Sequence, residues 1–387
     1  MHLQSPPRTI PVDGPANRVY APAYNRLQNT TGCKNRKEAG AVRQGASCDG
    51  LVMDMTIRKL AQLAGTSYST VSRALNDSPL VKDSTKRHIQ SLARQLGYQV
   101  NSSAKSLATG MQMNVGLVYP FHSLRPYESA YTSQAISRMR RELATHGLDA
   151  LVAGYGGGEG PTDDITRLLR QKKVAGLIIF GYEVSRPQVD ALLRLDAPFL
   201  LINPAPGIED APCHQIRIDH ELGGYLAAQR LIAAGRRRLL CVTEAGEQFD
   251  VRLRGFARAV ADAEEAITWD TLTIENGLYE TAYDTVAAHL DEVRACDGVF
   301  AQSDLTSIGV LNCLLDTGVP VPEQISVVGY DDIEWAQYTR PALTTIHQPV
   351  SEVARLATDA IAAVIAGTQS DQYVEKLQPT LVDRESC

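Results

Sequence analysis

The 387-residue chain has no apolar run long enough to cross a bilayer, and its first residues lack the continuous apolar core of a secretory signal. Neither a membrane nor an export route is therefore expected. Its seven cysteines (Cys33, Cys48, Cys213, Cys241, Cys296, Cys313 and Cys387) are odd in number and scattered, with no pair at metal-ligand spacing. That removes a disulfide scaffold and a zinc module, and points to a reducing cytoplasm. Cys241 and Cys313 fall in apolar segments and read as small core residues. The eight histidines form no metal motif, so no metal or other cofactor is expected. There is no nucleophile elbow and no motif of paired acids, and Gly154-Tyr-Gly-Gly-Gly-Glu-Gly160 lacks the lysine and spacing of a phosphate loop. Enzymatic turnover is not expected. No leucine heptad precedes Cys387, so a zipper-built tetramer is not expected either.

What the chain does have is concentrated first in Thr56–Asn76. Ile57, Leu60, Ala61 and Ala64 fall on one helical face, and Val71, Ala74 and Leu75 on another beyond Gly65-Thr-Ser67. Gly65 suits a tight turn and Ser67 a helix cap, which starts a second helix at Tyr68. Tyr68, Ser69, Ser72 and Arg73 then point outward, as hydrogen-bonding groups do on a helix that enters a major groove. A third helix is expected from Ser84 to Leu96, ending at Gly97. A small helical domain with solvated faces would give a similar pattern, but charge argues for DNA. Residues 55–110 hold eight basic and two acidic side chains, a net +6 in a chain whose total is −6.

These residues resemble the lactose-repressor (LacI/GalR) family of bacterial transcription regulators. The likeness rests on Met55-Thr-Ile-Arg-Lys-Leu-Ala-Gln-Leu-Ala-Gly65, Ser67-Tyr-Ser-Thr-Val-Ser-Arg-Ala-Leu-Asn76, Leu96-Gly-Tyr98 and Asn101–Leu107. It continues through Arg252-Leu-Arg-Gly-Phe256, Ile325-Ser-Val-Val-Gly-Tyr-Asp-Asp332 and Pro341-Ala-Leu-Thr-Thr-Ile-His-Gln348. The resemblance implies DNA contacts from Thr56, Tyr68, Ser69, Thr70, Ser72, Arg73 and Asn76. It also implies a hinge helix that folds on the operator, with contacts from Asn101, Ala104, Lys105 and Leu107, the leucine wedged between base pairs from the minor groove. Val100 stands where many members have proline, a departure at the hinge entry.

Beyond the head, Val- and Ile-rich runs at 115–119, 150–153, 177–180, 199–202, 239–242, 299–301 and 325–329 alternate with amphipathic segments, which indicates parallel sheets covered on both faces. The expected fold is thus an N-terminal all-α helix-turn-helix DNA-binding domain (55–100), a hinge (101–112) and an α/β effector domain (113–387). The length of the last implies two parallel-sheet lobes. The resemblance makes these lobes periplasmic-binding-protein-like, crossed three times by the chain, with a ligand in the cleft between them. Residues 111–387 carry −15, and an acidic body confines DNA contact to the head and hinge.

By carry-over from the matched motifs, the ligand-binding residues are Arg252, Asp331, Ser303, Asp304, Tyr279 and Tyr131. Asp304 reads equally well as the cap of the helix it begins, Ser303 shortens a position where many members have asparagine, and the tyrosines read alternatively as core. His347 reads as a structural hydrogen-bonding group. An arginine and an aspartate flanked by tyrosines suit a polyhydroxylated sugar. Purine-binding relatives have an arginine and a threonine where this chain has Glu244-Ala-Gly-Glu-Gln-Phe-Asp250. A sugar is the expected effector; a purine, a sugar phosphate or a sugar acid remains the alternative. The expected protein is a ligand-responsive repressor, a cytoplasmic homodimer on a near-palindromic double-stranded operator. A sugar-binding transport protein would need an export signal and no DNA-reading head. Residues 1–54 have no sustained apolar period and, since the family's usual start falls at Met53 or Met55, read as a disordered upstream translation or an expression artefact.

Overall fold

The computed structural model describes residues 9–10, 55–75, 77–98, 112–120, 130–155, 163–369 and 371–387. The chain divides into two units, 13–110 and 1–12 with 111–387, each taken by itself below.

The first unit is a three-helix head. Thr56 caps helix α1 (Ile57–Leu63), its Oγ1 accepting from the Lys59 amide at 3.3 Å. Gly65 turns the chain at φ +62°, a conformation that costs a side-chain-bearing residue a steric penalty. Ser67 Oγ then accepts from the Thr70 amide at 3.1 Å and starts α2 (Tyr68–Leu75). Helix α3 (Asp83–Gln95) closes the unit. Leu60, Ala61, Val71, Ala74, Val81, Ile89 and Ala93 form its core, with Ile57, Ala64, Leu75, Leu92 and Leu96 partly buried around it. The apolar period therefore placed both α1 and α2 faces inward, and α3 begins one residue before the expected start.

The second unit holds two sheets. In the first, β2 (Asn114–Pro120), β3 (Asp149–Tyr155), β4 (Gly176–Phe180), β5 (Phe199–Ile202), β6 (His214–Ile218) and β12 (Val374–Leu377) pair in the order β12-β6-β5-β4-β2-β3, all parallel. The second contains β1 (Thr9–Ile10), β7 (Arg238–Glu244), β8 (Thr268–Ile274), β9 (Gly298–Ala301), β10 (Ser326–Asp331), β11 (Thr344–His347) and β13 (Thr380–Val382). Their order is β1-β8-β7-β9-β10-β11-β13, and only β13 runs antiparallel to its neighbour. Each sheet has an apolar cluster on both faces, which explains strands such as Gly176–Phe180 with no exposed position. Cys241 and Cys313 are buried in the second lobe's core.

The chain crosses between lobes three times, after β6, after β11 and after β12. Two crossings are tied together: the Asp219 amide donates to Leu377 O at 2.9 Å, and Lys376 Nζ pairs with Asp219 at 2.6 Å. Beside the remaining crossing, His347 Nδ1 lies 2.9 Å from Asp332 Oδ2, the structural bond expected of it. Residues 9–10, in the stretch expected to lack structure, form a short strand on the edge of β8, where unpaired backbone groups accept one. The rest of residues 1–54 lies outside the described residues. Among the described residues, no helix is long and apolar enough to cross a membrane.

Candidate effector cleft and DNA-facing helix

Helix α7 (His220–Ala233) begins at the first crossing, and α8 (Glu247–Ala261) packs directly against it. Glycine makes that approach possible. A Cβ on Gly224 would lie 1.9 Å from Arg252 O, and one on Gly255 would lie 1.8 Å from Glu221 O. The crossing delivers Arg252 to the floor of a cleft of about 460 Å³ between the lobes.

Arg252 is 5 % exposed. Its guanidinium sits 3.8 Å from the Tyr330 ring centroid and 5.4 Å from that of Phe249, a cation held on two aromatic faces, and it donates to Gln302 O. The Tyr330 hydroxyl lies 2.9 Å from His220 Nδ1, and His220 Nε2 is left without a partner in the lining of the cleft. Burial and the Arg252 charge push the His220 pKa well below its ordinary value, so the ring is neutral.

Asp331 ends β10 at φ +118°. Its carboxyl accepts from Gln348 Nε2 at 2.6 Å. Burial raises its pKa to about 6 against the lowering effect of Arg252. Ser303 lines the cleft and caps α11 (Asp304–Asp316), its Oγ accepting from the Thr306 amide at 3.2 Å. Tyr131, at the start of α4 (Ala130–Thr145), reaches the cleft from the other lobe, beside Tyr119 and Tyr182.

The cleft thus brings together four of the six ligand residues expected from sequence: Arg252, Asp331, Ser303 and Tyr131. Two stand apart from its lining. Asp304 is fully buried, and its carboxyl accepts from Thr345 Oγ1 at 2.5 Å and the Ile333 amide at 2.8 Å. Burial and the nearby Asp331 push its pKa well up. A Cβ on Gly329 would fall 2.3 Å from Asp304 Oδ1, so that glycine makes room for the carboxyl. Asp304 braces the loop after β10, and capping falls to Ser303. Tyr279, first residue of α9 (Tyr279–Ala288), accepts from Asn312 Nδ2 at 3.0 Å and packs on Tyr283.

Sequence reasoning missed His220, which opens the helix at the first crossing, and Gln348, which closes the Pro341–Gln348 motif at the second. Among the described residues, five buried side-chain polar atoms have no hydrogen-bond partner: Tyr131 OH, Arg138 Nε, His220 Nε2, Arg252 Nε and Gln348 Oε1. Four belong to cleft-lining residues that are 1–9 % exposed. Buried polar groups are almost always satisfied, so their convergence calls for a polar guest.

In the head, Tyr68 is 54 % exposed, Ser69 and Arg73 are exposed, and Thr70 and Ser72 are half-buried, so α2 presents its polar face outward. Thr56 is also exposed. Both acids of the head, Asp77 and Asp83, pair with Lys86, which leaves the unit strongly basic. Asn76, Asn101, Ala104, Lys105 and Leu107 lie outside the described residues.

Comparison with known proteins agrees with this architecture. A model of bacterial regulatory proteins of the lacI family matches residues 56–101, and one of a periplasmic binding protein-like domain matches 228–387. The transcriptional repressor PurR of Vibrio cholerae serotype O1 is 27 % identical over 338 residues, covering 86 % of this chain and 97 % of that protein. The ribose operon repressor of Escherichia coli K12 is 28 % identical over 335 residues, covering 86 % and 99 %. Among solved structures, a transcriptional regulator CelR–cellobiose complex superposes with a TM-score of 0.63 at 25 % identity, covering 86 % of this chain and all of that one. A basic helix-turn-helix head that matches the lacI family model, a body that matches the periplasmic binding protein-like domain, and likeness to these repressors over most of their length lead to one assignment: the chain carries the DNA-binding head of the lacI family of bacterial regulatory proteins joined to a periplasmic-binding-protein-like domain.

Proposed function

We propose that this protein is a ligand-responsive transcription repressor, acting by binding rather than by turnover in the bacterial cytoplasm. As a homodimer it places two heads on successive half-sites of a near-palindromic operator, α2 in the major groove and residues 101–112 as the hinge. Tyr68, Ser69 and Arg73 read base edges, while Thr56, Thr70 and Ser72 hold backbone and register. The effector is a small polyhydroxylated molecule bound between the lobes. Binding shifts the balance of two lobe arrangements, and operator affinity changes by the effector's differential affinity for them.

The observation that carries the effector reading is the set of unpartnered atoms on the cleft floor. Tyr131 OH and Arg252 are donors, Gln348 Oε1 and the Asp331 carboxyl are acceptors, and His220 Nε2 adds a further polar atom. A molecule with many hydroxyls answers both kinds at once, and the tyrosines supply faces for its ring. The test is thermal unfolding across sugars, sugar derivatives and purines, with DNA retardation on a site selected from random sequence. A ligand at about a hundred times its dissociation constant adds roughly 2.7 kcal/mol, and it is recovered unchanged. A purine as the single hit would replace the sugar reading; protein that retards no selected DNA would overturn the repressor.

A further inference from the structure

Resting on the reading of the cleft as an effector pocket, we infer that the effector is an amino sugar, its hydroxyls on the buried floor and its ammonium among glutamates at the rim. The floor is balanced, Arg252 against Asp331. The rim is not. Glu244 ends β7, Glu247 opens α8 and Glu275 follows β8, all in one lobe, and Glu183 follows β4 in the other. Arg252 is the one arginine or lysine among the described lining residues, and His220 is neutral. Glu183 and Glu244 also interact within the protein, whereas Glu247 and Glu275 are exposed.

Three features make this a built arrangement. A Cβ on Gly277 would lie 2.8 Å from Glu244 Oε1, so the glycine keeps space for that carboxylate at the rim. The amino ends of α8 and α11 border the cleft and would ordinarily welcome an anion. Here Glu247 is the first residue of α8, and Asp304, the first residue of α11, has the Asp331 carboxyl beside it. A phosphate or carboxylate would meet fixed negative charge where it most needs donors, while an ammonium would be drawn in, the low-dielectric walls concentrating the field. Independently, the four unpartnered atoms on residues at least nine-tenths buried show that the same cleft is shaped for a polar guest.

The test uses the full-length protein and matched sets of probes: glucose, glucosamine and glucose 6-phosphate, the galactose and mannose counterparts, and the corresponding uronates. Calorimetric titration is run at low and high salt. In at least one set the amine binds about tenfold more tightly than its parent sugar, the size of one charge-assisted hydrogen bond net of desolvation. That ratio shrinks at high salt and in Glu247→Gln and Glu275→Gln, whose folding is checked by thermal unfolding. A phosphate or uronate that outbinds its neutral parent overturns the inference, as does failure of every amine to bind. If a neutral or anionic sugar binds and alters operator retention, the charge inference falls while the repressor reading stands. A purine as the single ligand removes both the sugar and its charge, yet leaves the DNA-binding result to be judged separately.

Discussion

Gly255→Ala probes the helix crossing that positions Arg252. The added methyl would sit 1.8 Å from Glu221 O, against an ordinary contact of 3.4 Å or more, so α7 and α8 must part by about 1.6 Å. The obstacle is a backbone carbonyl, which has no rotamer to adopt. Gly224 faces the same crossing from the other side, 1.9 Å from Arg252 O for its virtual Cβ, so neither helix can slide to relieve the clash. Alanine in a helix interior is intrinsically better than glycine by about 1 kcal/mol. Overpacking typically costs about 1–3 kcal/mol, and a clash with main chain lies at or beyond the upper end. The net loss should be about 2 kcal/mol or more, a fall in midpoint of about 4–8 °C at roughly 2–4 °C per kcal/mol for a domain of this scale. Thermal unfolding of the variant beside the parent measures it. Effector-induced stabilisation should fall as well, since Arg252 leaves its place over Tyr330. An unchanged or raised midpoint would refute the close crossing and the account of how the cleft floor is held.

Asp331 predicts two opposite pH dependences. Its folded pKa of about 6 lies above its ordinary value of 3.8, so the ligand-free protein loses stability as pH rises through that interval. Effector hydroxyls donating to the ionised carboxylate make effector affinity rise over the same interval and level off above about pH 6, and Asp331→Asn should remove both slopes; affinity flat across it would exclude the contact. Arg73→Ala should reduce specific operator affinity by about tenfold or more, as for loss of a base contact, with less effect on random DNA; equal losses would place Arg73 on phosphate. Leu107→Ala should weaken specific operator binding while effector titration is unchanged, and undiminished specific affinity would remove the hinge wedge.

The head was legible because its signals are local. Gly65 must turn, Ser67 can cap, and the apolar period of Ile57–Ala64 and Val71–Leu75 has one way to pack. All seven expected strands of the lobes form, since runs such as Leu177–Phe180 and Phe199–Ile202 are buried on both faces. The strands that escaped notice, His214–Ile218, Thr268–Ile274, Thr344–His347, Val374–Leu377 and Thr380–Val382, are polar or short. Thr268-Trp-Asp-Thr-Leu-Thr-Ile274 does carry a period-two pattern that would have revealed it. Edge position explains two more: Val374–Leu377 and Thr380–Val382 each end a sheet and need no continuous apolar run, whereas His214–Ile218 and Thr344–His347 are interior strands whose polar residues hid them.

By itself the sequence determined the order of elements, the charge contrast between head and body, and motifs that put Arg252 and Asp331 among the expected ligand residues. Those depend on neighbours along the chain. Only the tertiary structure decided that Asp304 is a buried brace, that Tyr279 packs on Tyr283 away from the cleft, and that His220 and Gln348 join its floor. Burial, hydrogen-bond partners and the 1.8 Å clearance at Gly255 are set by residues tens to a hundred positions away, brought together when the lobes fold around three crossings.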